Sequence, residues 1–360
     1  KIGQKTHFKN IYEFEPATIY TINEEFKMSE QTYWSLFEKK MDEKIDKEEF
    51  RVLFNTKLQA VTNLENNIIM PMSGGRDTRT ILSAILKEKG KLHCYTFGPD
   101  YHSDLAEARN ICDHFGLDHR IVELNDDWAR SIDFDQELEQ MNINGIGPHF
   151  YNMQIKYALD TEKHTHGLAL QGELGNQTWR HHPFGNLTPT SMDIKENAHF
   201  MLKNLTRVLF FKSDQTGFYQ NLYNAHKIDE IKNAIELSIQ DDLAKHPNPE
   251  IPSDFSEFFI FRTICYNFYS NILKFIGRYF KLYLPFLQKD LLQYLHLLKI
   301  NTRVNAEYQK YIIAQNNQYL ATKPYRNTGR KMKYVKLIGN MVTNNIFRFK
   351  PFDHPELHNY

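Results

Sequence analysis

Short apolar runs alternate with amphipathic stretches between residues 67 and 172, and this alternation is the clearest pattern in the chain. The apolar runs of strand length are 68–72, 93–97, 120–124 and 168–172. Between them, 78–89 and 103–114 place apolar side chains three and four positions apart, and glycines follow at 90 and 116. This spacing predicts α-helices that end near those glycines, and a further helical stretch lies near 147–160. Strands that alternate with helices are typical of a parallel sheet covered on both faces. We therefore predict an α/β fold with a doubly wound, mostly parallel sheet.

The rest of the chain has other patterns. Tyr12, Phe14, Ile19, Tyr20 and Ile22 surround Pro16 and indicate a short strand pair, and 31–63 has helical spacing. The region 173–250 is polar and irregular, with one or two helices, whereas 253–300 is helical and rich in aromatic residues. We interpret the aromatic stripe as core packing. We expect a lead-in over 1–60 and one domain over 61–360, with an added C-terminal helical region from about residue 250.

Composition narrows the class of protein. Lys plus Arg and Asp plus Glu both number 44, so the formal net charge is zero and nucleic acid is not expected as the main partner. The three cysteines have no spacing typical of a disulfide framework or a zinc site, and Cys94 and Cys112 fall on apolar faces, which predicts core positions. No apolar run is long enough for a membrane span, and no signal-like segment is present. We expect a cytoplasmic protein.

The segment Ser73–Thr78 (SGGRDT) joins the first strand of this pattern to the helix after it. Its two glycines let consecutive backbone N–H groups form an anion-binding nest, and the helix N-terminus adds partial positive charge. The hydroxyls of Ser73 and Thr78 are suited to donate to phosphate oxygens. Asp77 repels phosphate, so we interpret it as a ligand of Mg²⁺ that bridges to the phosphates. No lysine follows the second glycine, so pyrophosphate binding fits this loop better than γ-phosphoryl transfer.

At this loop the sequence resembles the PP-loop ATP pyrophosphatases, and within them the synthetase domain of asparagine synthetase. That group includes the β-lactam synthetases and the lasso-peptide cyclases. The segments that carry the resemblance are 68–78 (IIMPMSGGRDT, against SGGxDS), 92–124, 171–177 (QGELGNQ, against SGEGSDE), 284–287 (LPFL, against PFLD) and 323–329 (KPYRNTG, against a lysine-bearing loop). Residues 6–22 look like the last strands of the glutaminase domain that precedes the synthetase domain in this family.

The resemblance implies a PP-loop fold, of the adenine nucleotide alpha hydrolase-like type, and an AMP-forming carbon–nitrogen ligase. Such enzymes adenylate a carboxylate with ATP and Mg²⁺, release pyrophosphate and transfer the acyl group to an amine or ammonia. The expected partners are a small-molecule or peptide carboxylate and an amine. The glutaminase nucleophile is absent from the sequence, so a separate ammonia-supplying subunit is one possible nitrogen source, and a free or intramolecular amine is another.

The resemblance also implies a role for each matching residue. The pyrophosphate and magnesium would be held by Ser73, Gly74, Gly75, Asp77 and Thr78, and the adenine and ribose framed by Phe97 and Gly172. Glu173 would be the general base for the attacking amine, and Lys323 would stabilise the charge that develops at the adenylate. The metal ligands would be Asp77 and Asn176.

Several positions depart from the family pattern, and each replaces a carboxylate by an amide. They are Asn142, Asn176, Gln177 and Gln288. An amide oxygen brings no charge, so we expect weaker metal binding. Because Asp77 and Glu173 are kept, we predict an active enzyme. Two alternatives stay open: a non-catalytic nucleotide-binding subunit, and another PP-loop chemistry such as tRNA thiolation or nucleotide amination.

The remaining polar clusters give weaker signals. Arg180 is a candidate bidentate partner for a carboxylate or a phosphate, and for Arg76 we favour a surface ion pair over a phosphate contact. No acidic residue has ligand spacing to the histidines at 164, 166, 181 and 182, so we do not predict a metal site there. We interpret the basic cluster of Arg326, Arg330, Lys331 and Lys333 as a solvated surface, with a pyrophosphate clamp or an acidic partner as alternatives.

Overall fold

The computed structural model describes residues 2–6, 8–37, 46–98, 103–130, 132, 150–160, 167–180, 189–205, 225–298, 303 and 305–323. The strands of these residues are β1 (Thr18–Ile22), β2 (Met28–Thr32), β3 (Ile68–Pro71), β4 (Leu92–Gly98), β5 (Asp118–Glu123), β6 (Leu168–Leu170) and β7 (Lys281–Tyr283).

The α-helices of the same residues are α1 (Lys47–Thr62), α2 (Arg76–Ile85), α3 (Ser103–Phe115), α4 (Asp126–Arg130), α5 (Phe150–Asp160), α6 (Ile194–Leu205), α7 (Ala225–Leu243), α8 (Pro252–Phe259), α9 (Ser270–Ile276), α10 (Lys289–His296), α11 (Glu307–Asn316) and α12 (Gln318–Thr322). Shorter pieces are the 3₁₀ segments Leu86–Lys91 and Pro285–Leu287 and the π-helical segments Gly175–Trp179 and Ile260–Tyr269.

The main sheet has five strands in the described part of the chain, in the order β5-β4-β3-β6-β7, and every neighbouring pair is parallel. Ile68 of β3 is in register with Leu92 of β4 on one side and with Leu168 of β6 on the other. In chain order, β3, β4 and β5 extend the sheet step by step toward one edge, and β6 and β7 extend it from β3 toward the other edge. The order reverses between β3 and β6, which is where ligands bind in doubly wound sheets.

Side chains of β3 are buried on both faces of the sheet. Ile68 and Met70 pack into a core with α1, α2, α3, α10, α11 and α12, whereas Ile69 packs into a second core with α4, α5 and α9. Burial on both faces explains why the strand is apolar without alternation. The doubly wound, parallel α/β fold predicted from the sequence is confirmed.

The aromatic stripe in 253–300 forms helices α8, α9 and α10 and a π-helical segment, but it also contains a strand. Phe255, Phe258 and Phe259 of α8 lie in a third core with α6 and α7, which agrees with their interpretation as core residues. The strand β7 was not predicted. It is only three residues long and lies between helices of similar apolar composition, so the alternation of its side chains is too short to distinguish a strand from a helix.

The lead-in differs from its prediction in two respects. Strand β1 pairs with β2 rather than with the segment before Pro16, through a turn in which the Asn23 side chain accepts from the backbone N–H groups of Glu25 and Lys27. Every residue of β2 (MSEQT) is exposed, and only Met28 is apolar, so the strand has no alternating apolar pattern that could predict it. Of the helix predicted over 31–63, α1 confirms Lys47 to Thr62, the first two residues belong to β2, and 38–45 lie outside the described residues.

Candidate functional site

A cavity of about 520 Å³ opens at the carboxyl ends of β3, β4 and β6, at the point where the strand order reverses. This volume is in the range of small-molecule sites, roughly 300–1,000 Å³. Of the residues predicted to form the site, those that line the cavity are Ser73, Gly75, Asp77, Thr78, Phe97, Gly172, Glu173 and Asn176. The fold thus brings together the loop after β3 and the turn after β6, which are about a hundred residues apart in the sequence.

A larger cavity of about 1450 Å³ lies between the lead-in and the helices near 258–292. Its lining is mainly apolar and includes none of the predicted site residues. We place the functional site in the smaller cavity, because charged side chains, a buried carboxyl group and a helix N-terminus converge there.

The loop after β3 is held in shape by its own hydroxyl groups. Ser73 Oγ accepts from the backbone N–H of Gly75 at 3.1 Å, and Thr78 Oγ1 donates to the carbonyl of Ser73 at 2.9 Å. A hydroxyl has one proton, so Thr78 in this conformation shapes the loop instead of donating to a ligand. Gly75 is the N-cap residue of α2, which leaves the first N–H groups of the helix to face the cavity.

Asp77 lies in the first turn of α2, and both of its carboxylate oxygens accept hydrogen bonds. Arg180 Nη2 is 3.1 Å from Oδ1 and 3.2 Å from Oδ2, and Gln309 Nε2 is 2.6 Å from Oδ1. Arg180 is 8% exposed, so this ion pair is largely removed from water. The sequence made Arg180 a candidate partner for a carboxylate, and in the structure that carboxylate is Asp77.

Asp77 and Asn176, the predicted magnesium ligands, offer few of the oxygen ligands that Mg²⁺ requires. Magnesium takes octahedral oxygen ligands and favours carboxylates. Asp77 is already neutralised by Arg180, and Asn176 supplies a neutral oxygen. Across the described ranges, no group of three His, Cys, Asp or Glu residues is arranged to hold a metal ion. The residues in this cavity do not fit a magnesium ion held by the protein, and the metal role of Asp77 and Asn176 stays a prediction.

Glu173 lies in the turn after β6 and lines the same cavity. Its Oε2 is buried and has no hydrogen-bond partner among the described residues. Burial raises the pKa of Glu173 to about 7, the nearby charge of Asp77 also raises it, and a backbone hydrogen bond opposes both. A carboxyl group with this pKa exchanges protons readily near neutral pH, as a general base must.

Some polar residues in or beside the cavity were not predicted from the sequence, among them Gln171, Gln309 and Lys310. Gln171 is 1% exposed and lines the cavity, and neither polar atom of its side chain has a hydrogen-bond partner in the described part of the protein. Gln309 contacts Asp77, and Lys310 follows it on α11. Nothing in the sequence around α11 marks these residues, because a glutamine and a lysine on a helix are common and no motif includes them.

Tyr269 extends the polar wall of the turn after β6. Its hydroxyl accepts from Gln177 Nε2 at 3.2 Å. Burial raises the pKa of Tyr269 to about 12, and the charge of Glu173 also raises it. The amide at Gln177 therefore orients a neutral phenol.

Two predicted site residues do not line the cavity. Gly74 packs beside α3, where an added Cβ atom would lie 2.8 Å from side-chain atoms of Glu107. The Lys323 ammonium lies over the ring of Tyr319, 4.2 Å from its centroid. The backbone carbonyl of Lys323 accepts from Arg79 at 3.1 Å. The catalytic role of Lys323 stays a prediction, and these contacts do not favour it.

Several other predictions fall outside the described residues. These are Asn142, the histidines at 164, 166, 181 and 182, the segment 324–329, and the basic cluster of Arg326, Arg330, Lys331 and Lys333. Within the described residues, no helix is both long and apolar enough to cross a bilayer. Cys94, Cys112 and Cys265 are free and buried, as the apolar context of the first two predicted.

No protein-family model matches this chain, and no curated protein matches it. Among solved structures, the NH3-dependent NAD synthetase from Campylobacter jejuni subsp. jejuni NCTC 11168, in complex with the nitrate ion, is 14% identical, with a TM-score of 0.28 over 60% of this chain and 94% of that chain. NMN synthetase from Francisella tularensis is 11% identical, with a TM-score of 0.27 over 61% of this chain and 95% of that chain. Likeness at this level carries no conclusion about activity, and membership of the asparagine synthetase group stays a prediction.

Proposed function

We propose that this protein is an ATP-dependent, AMP-forming amide-bond synthetase, which adenylates a carboxylate and transfers the acyl group to an amine or ammonia. One observation carries the proposal. The phosphate-type loop Ser73–Thr78 and the carboxyl group of Glu173 line one cavity at the reversal of strand order. The reaction needs an anion-binding loop for pyrophosphate and a base for the amine, and residues suited to both roles line that cavity.

The nucleotide half of the site is the turn between β3 and α2. Backbone N–H groups at the start of α2 and the helix dipole stabilise negative charge, which suits the β- and γ-phosphates of ATP. Phe97 and Gly172 line the cavity on the neighbouring turns and are proposed to contact the adenine and ribose. Mg²⁺ would enter with ATP as part of the substrate.

The chemistry has two steps. First, a carboxylate oxygen of the substrate attacks the α-phosphorus of ATP, the bond to the β-phosphate oxygen breaks, and pyrophosphate leaves. Then the amine nitrogen attacks the acyl carbon, the bond to AMP breaks, and the amine proton passes to Glu173. With a pKa of about 7, Glu173 is partly ionised at neutral pH and can accept this proton. Lys323 enters this mechanism only through the resemblance.

A non-catalytic nucleotide-binding protein is the second candidate. The amides at Asn176 and Gln177 and the ion pair between Asp77 and Arg180 favour it, because they leave few carboxylates for a metal-assisted reaction. The buried positions of the cysteines give no support to a sulfur-transfer chemistry.

The two half-reactions separate these candidates. Purified protein is incubated with ATP, radiolabelled pyrophosphate and a panel of carboxylates, and exchange of label into ATP is measured beside AMP and amide formation. We expect exchange with at least one carboxylate. Glu173→Gln should keep that exchange and lose amide formation by a factor of 10² or more, because only the second step needs the base.

Glu65→Gln is the matched control. Glu65 lies at the opposite, amino-terminal edge of the sheet, where it pairs with Lys281 at 3.3 Å. This variant should leave both half-reactions unchanged. ATP binding without AMP release across the whole panel would exclude the synthetase and support the binding protein.

A further inference from the structure

The cation next to Asp77 in this structure is a guanidinium group. Both contacts of Arg180 with the carboxylate run through Nη2, at 3.1 and 3.2 Å. Arg180 lines the cavity and is 8% exposed, so its charge is directed into a poorly hydrated space. A guanidinium carries five N–H donors in a planar fork that matches phosphate as well as carboxylate geometry. One arginine can thus contact Asp77 and a phosphate group at the same time.

Two further cations lie near Arg180. Arg76 lines the cavity from the first turn of α2. Lys310 is on α11, next to the Gln309 that contacts Asp77. Burial lowers the pKa of Lys310 to about 8, and the charges of Arg76 and Arg180 lower it further, against the opposite effect of Glu307. The side chain of Lys310 is therefore within electrostatic reach of both arginines.

Several acidic groups lie near these cations, and some of them already have cation partners. Asp77 is the carboxylate that Arg180 contacts, and Glu307 forms an ion pair with Lys47 at 2.6 Å. Asp104 also lines the cavity, from the α3 side. The guanidinium groups of Arg76 and Arg180 line the cavity, where positively charged side chains attract a polyanion.

We infer that Arg180 is a phosphate-binding residue, supported by the charges of Arg76 and Lys310, and that these side chains neutralise pyrophosphate in place of a magnesium ion held by protein carboxylates. This accounts for the presence of amides at Asn176 and Gln177, since a site neutralised by arginine and lysine needs no second carboxylate. It rests on the proposed nucleotide site, and it holds whether or not the protein makes an amide.

Titration calorimetry with inorganic pyrophosphate in excess EDTA tests the inference. We expect binding without a divalent cation. Arg180→Gln should weaken it tenfold or more, because a charge-assisted contact to phosphate is lost, and Arg76→Gln and Lys310→Met should weaken it by smaller factors. Arg130→Gln is the matched control, since Arg130 lies on α4 with its side chain 76% exposed and pairs only weakly with Asp126 and Asp127. It should bind as the unchanged protein does.

Asp77→Asn gives opposite results under the two assignments. If Asp77 were a magnesium ligand, this variant would lose pyrophosphate binding that depends on magnesium. If Arg180 binds phosphate, removal of the competing carboxylate should leave binding in EDTA at least as tight.

Thermal unfolding is measured for each variant. Should Arg180→Gln fail to fold, Arg180→Lys, which keeps a charge but not the fork, and Arg76→Gln replace it, with an expected three- to tenfold weakening.

Two results would overturn the inference: binding that appears only after magnesium is added, or full binding by the folded Arg180 and Arg76 variants. Binding in EDTA without any pyrophosphate exchange would leave the inference intact and count against the proposed synthetase. If exchange proceeds but pyrophosphate binds only in the presence of magnesium, the inference is overturned and the proposed synthetase is supported.

Discussion

Asp77 and Glu173 both line the cavity, and their carboxyl groups lie in different electrostatic environments. Asp77 forms an ion pair with Arg180, whereas Glu173 has no cation partner among the described residues and takes up a proton more readily instead. A carboxyl group whose pKa is raised by burial inside a cleft, as at Glu173, is typical of sites that carry out acid–base chemistry. The environment of Glu173 is therefore itself a functional signal.

The pKa of Glu173 leads to a stability prediction. Folding raises the pKa of Glu173 from its ordinary value of 4.5 to about 7, so the folded protein holds this proton more tightly than the unfolded chain. The stability that Glu173 contributes is full below pH 4.5 and is lost as the pH rises through 7. Glu173→Gln should therefore raise the free energy of unfolding at pH 8, by about 1–3 kcal/mol, and the gain should vanish near pH 5.

Urea unfolding of both proteins at several pH values measures this difference. Glu65→Gln again serves as the control, because Glu65 is paired at the protein surface and its removal should change stability little at any pH. An equal effect of Glu173→Gln at pH 5 and pH 8 would show that the carboxyl group is not titrating in this range.

Single residues of the site were predictable only where a local motif marks them. Asp77 and Glu173 stand in recognisable segments that directly follow apolar strands. Gln309 contacts Asp77 from 232 positions away in the chain, and its neighbour Lys310 is near the arginines for the same reason. Contacts of this kind depend on the packing of α11 against α2, which no local pattern specifies.

Among the elements, the π-helical segment Gly175–Trp179 determines the geometry of the site. It begins after Leu174, which has a positive φ of 73°, and it ends at Trp179, so that Asn176 within it and Arg180 directly after it both line the cavity. Gly175 packs directly against Asp77. A Cβ atom at this position would lie 2.7 Å from both Cγ and Oδ1 of Asp77. The glycine is required by this close approach.

Gly175→Ala should therefore displace Asp77 from its ion pair. We expect a loss of about 1–3 kcal/mol in the free energy of unfolding, the usual cost of forcing extra volume into a packed site. Gly90→Ala is the matched control, because nothing lies within 4 Å of the corresponding Cβ position. It should be neutral or stabilise slightly, by up to about 1 kcal/mol, since alanine restricts the unfolded chain. Similar effects of the two substitutions in thermal or urea unfolding would contradict the assigned contact.

The predictability of each element depended on how much it is buried. Strands β3, β4 and β6 are largely buried and β5 is partly buried, and all four were recognised from their apolar runs, with ends that differ by a few residues. Strand β2 is exposed along its whole length and was missed. Strand β7 is short and adjoins helices of similar composition, so periodicity alone did not distinguish it.

For the whole molecule, helix α1 links the beginning of the chain to the functional site. Its Phe50 ring centroid is 5.1 Å from that of Trp179, the last residue of the π-helical segment, and 5.1 Å from that of Tyr308 on α11. Phe54 is 5.5 Å from Trp179 and 6.3 Å from Phe286. The helix spans the lead-in boundary expected near residue 60, and its buried side chains belong to the same core as β3 and α2.

If α1 and the sheet form one cooperative unit, a cavity in α1 should destabilise both together. Phe54 is fully buried, so Phe54→Ala should cost about 3–5 kcal/mol, whereas Val52→Ala, on the same helix at 49% exposure, should cost less than about 0.5 kcal/mol. Tryptophan fluorescence and far-ultraviolet circular dichroism should follow one shifted transition in Phe54→Ala, because the core that Phe54 shares with β3 transmits the loss of packing to the sheet. Pyrophosphate binding should weaken in parallel at temperatures near the transition, since Trp179 supports the segment that carries Arg180. Two separate transitions, with the sheet unaffected by Phe54→Ala, would instead show that α1 belongs to an independent lead-in unit.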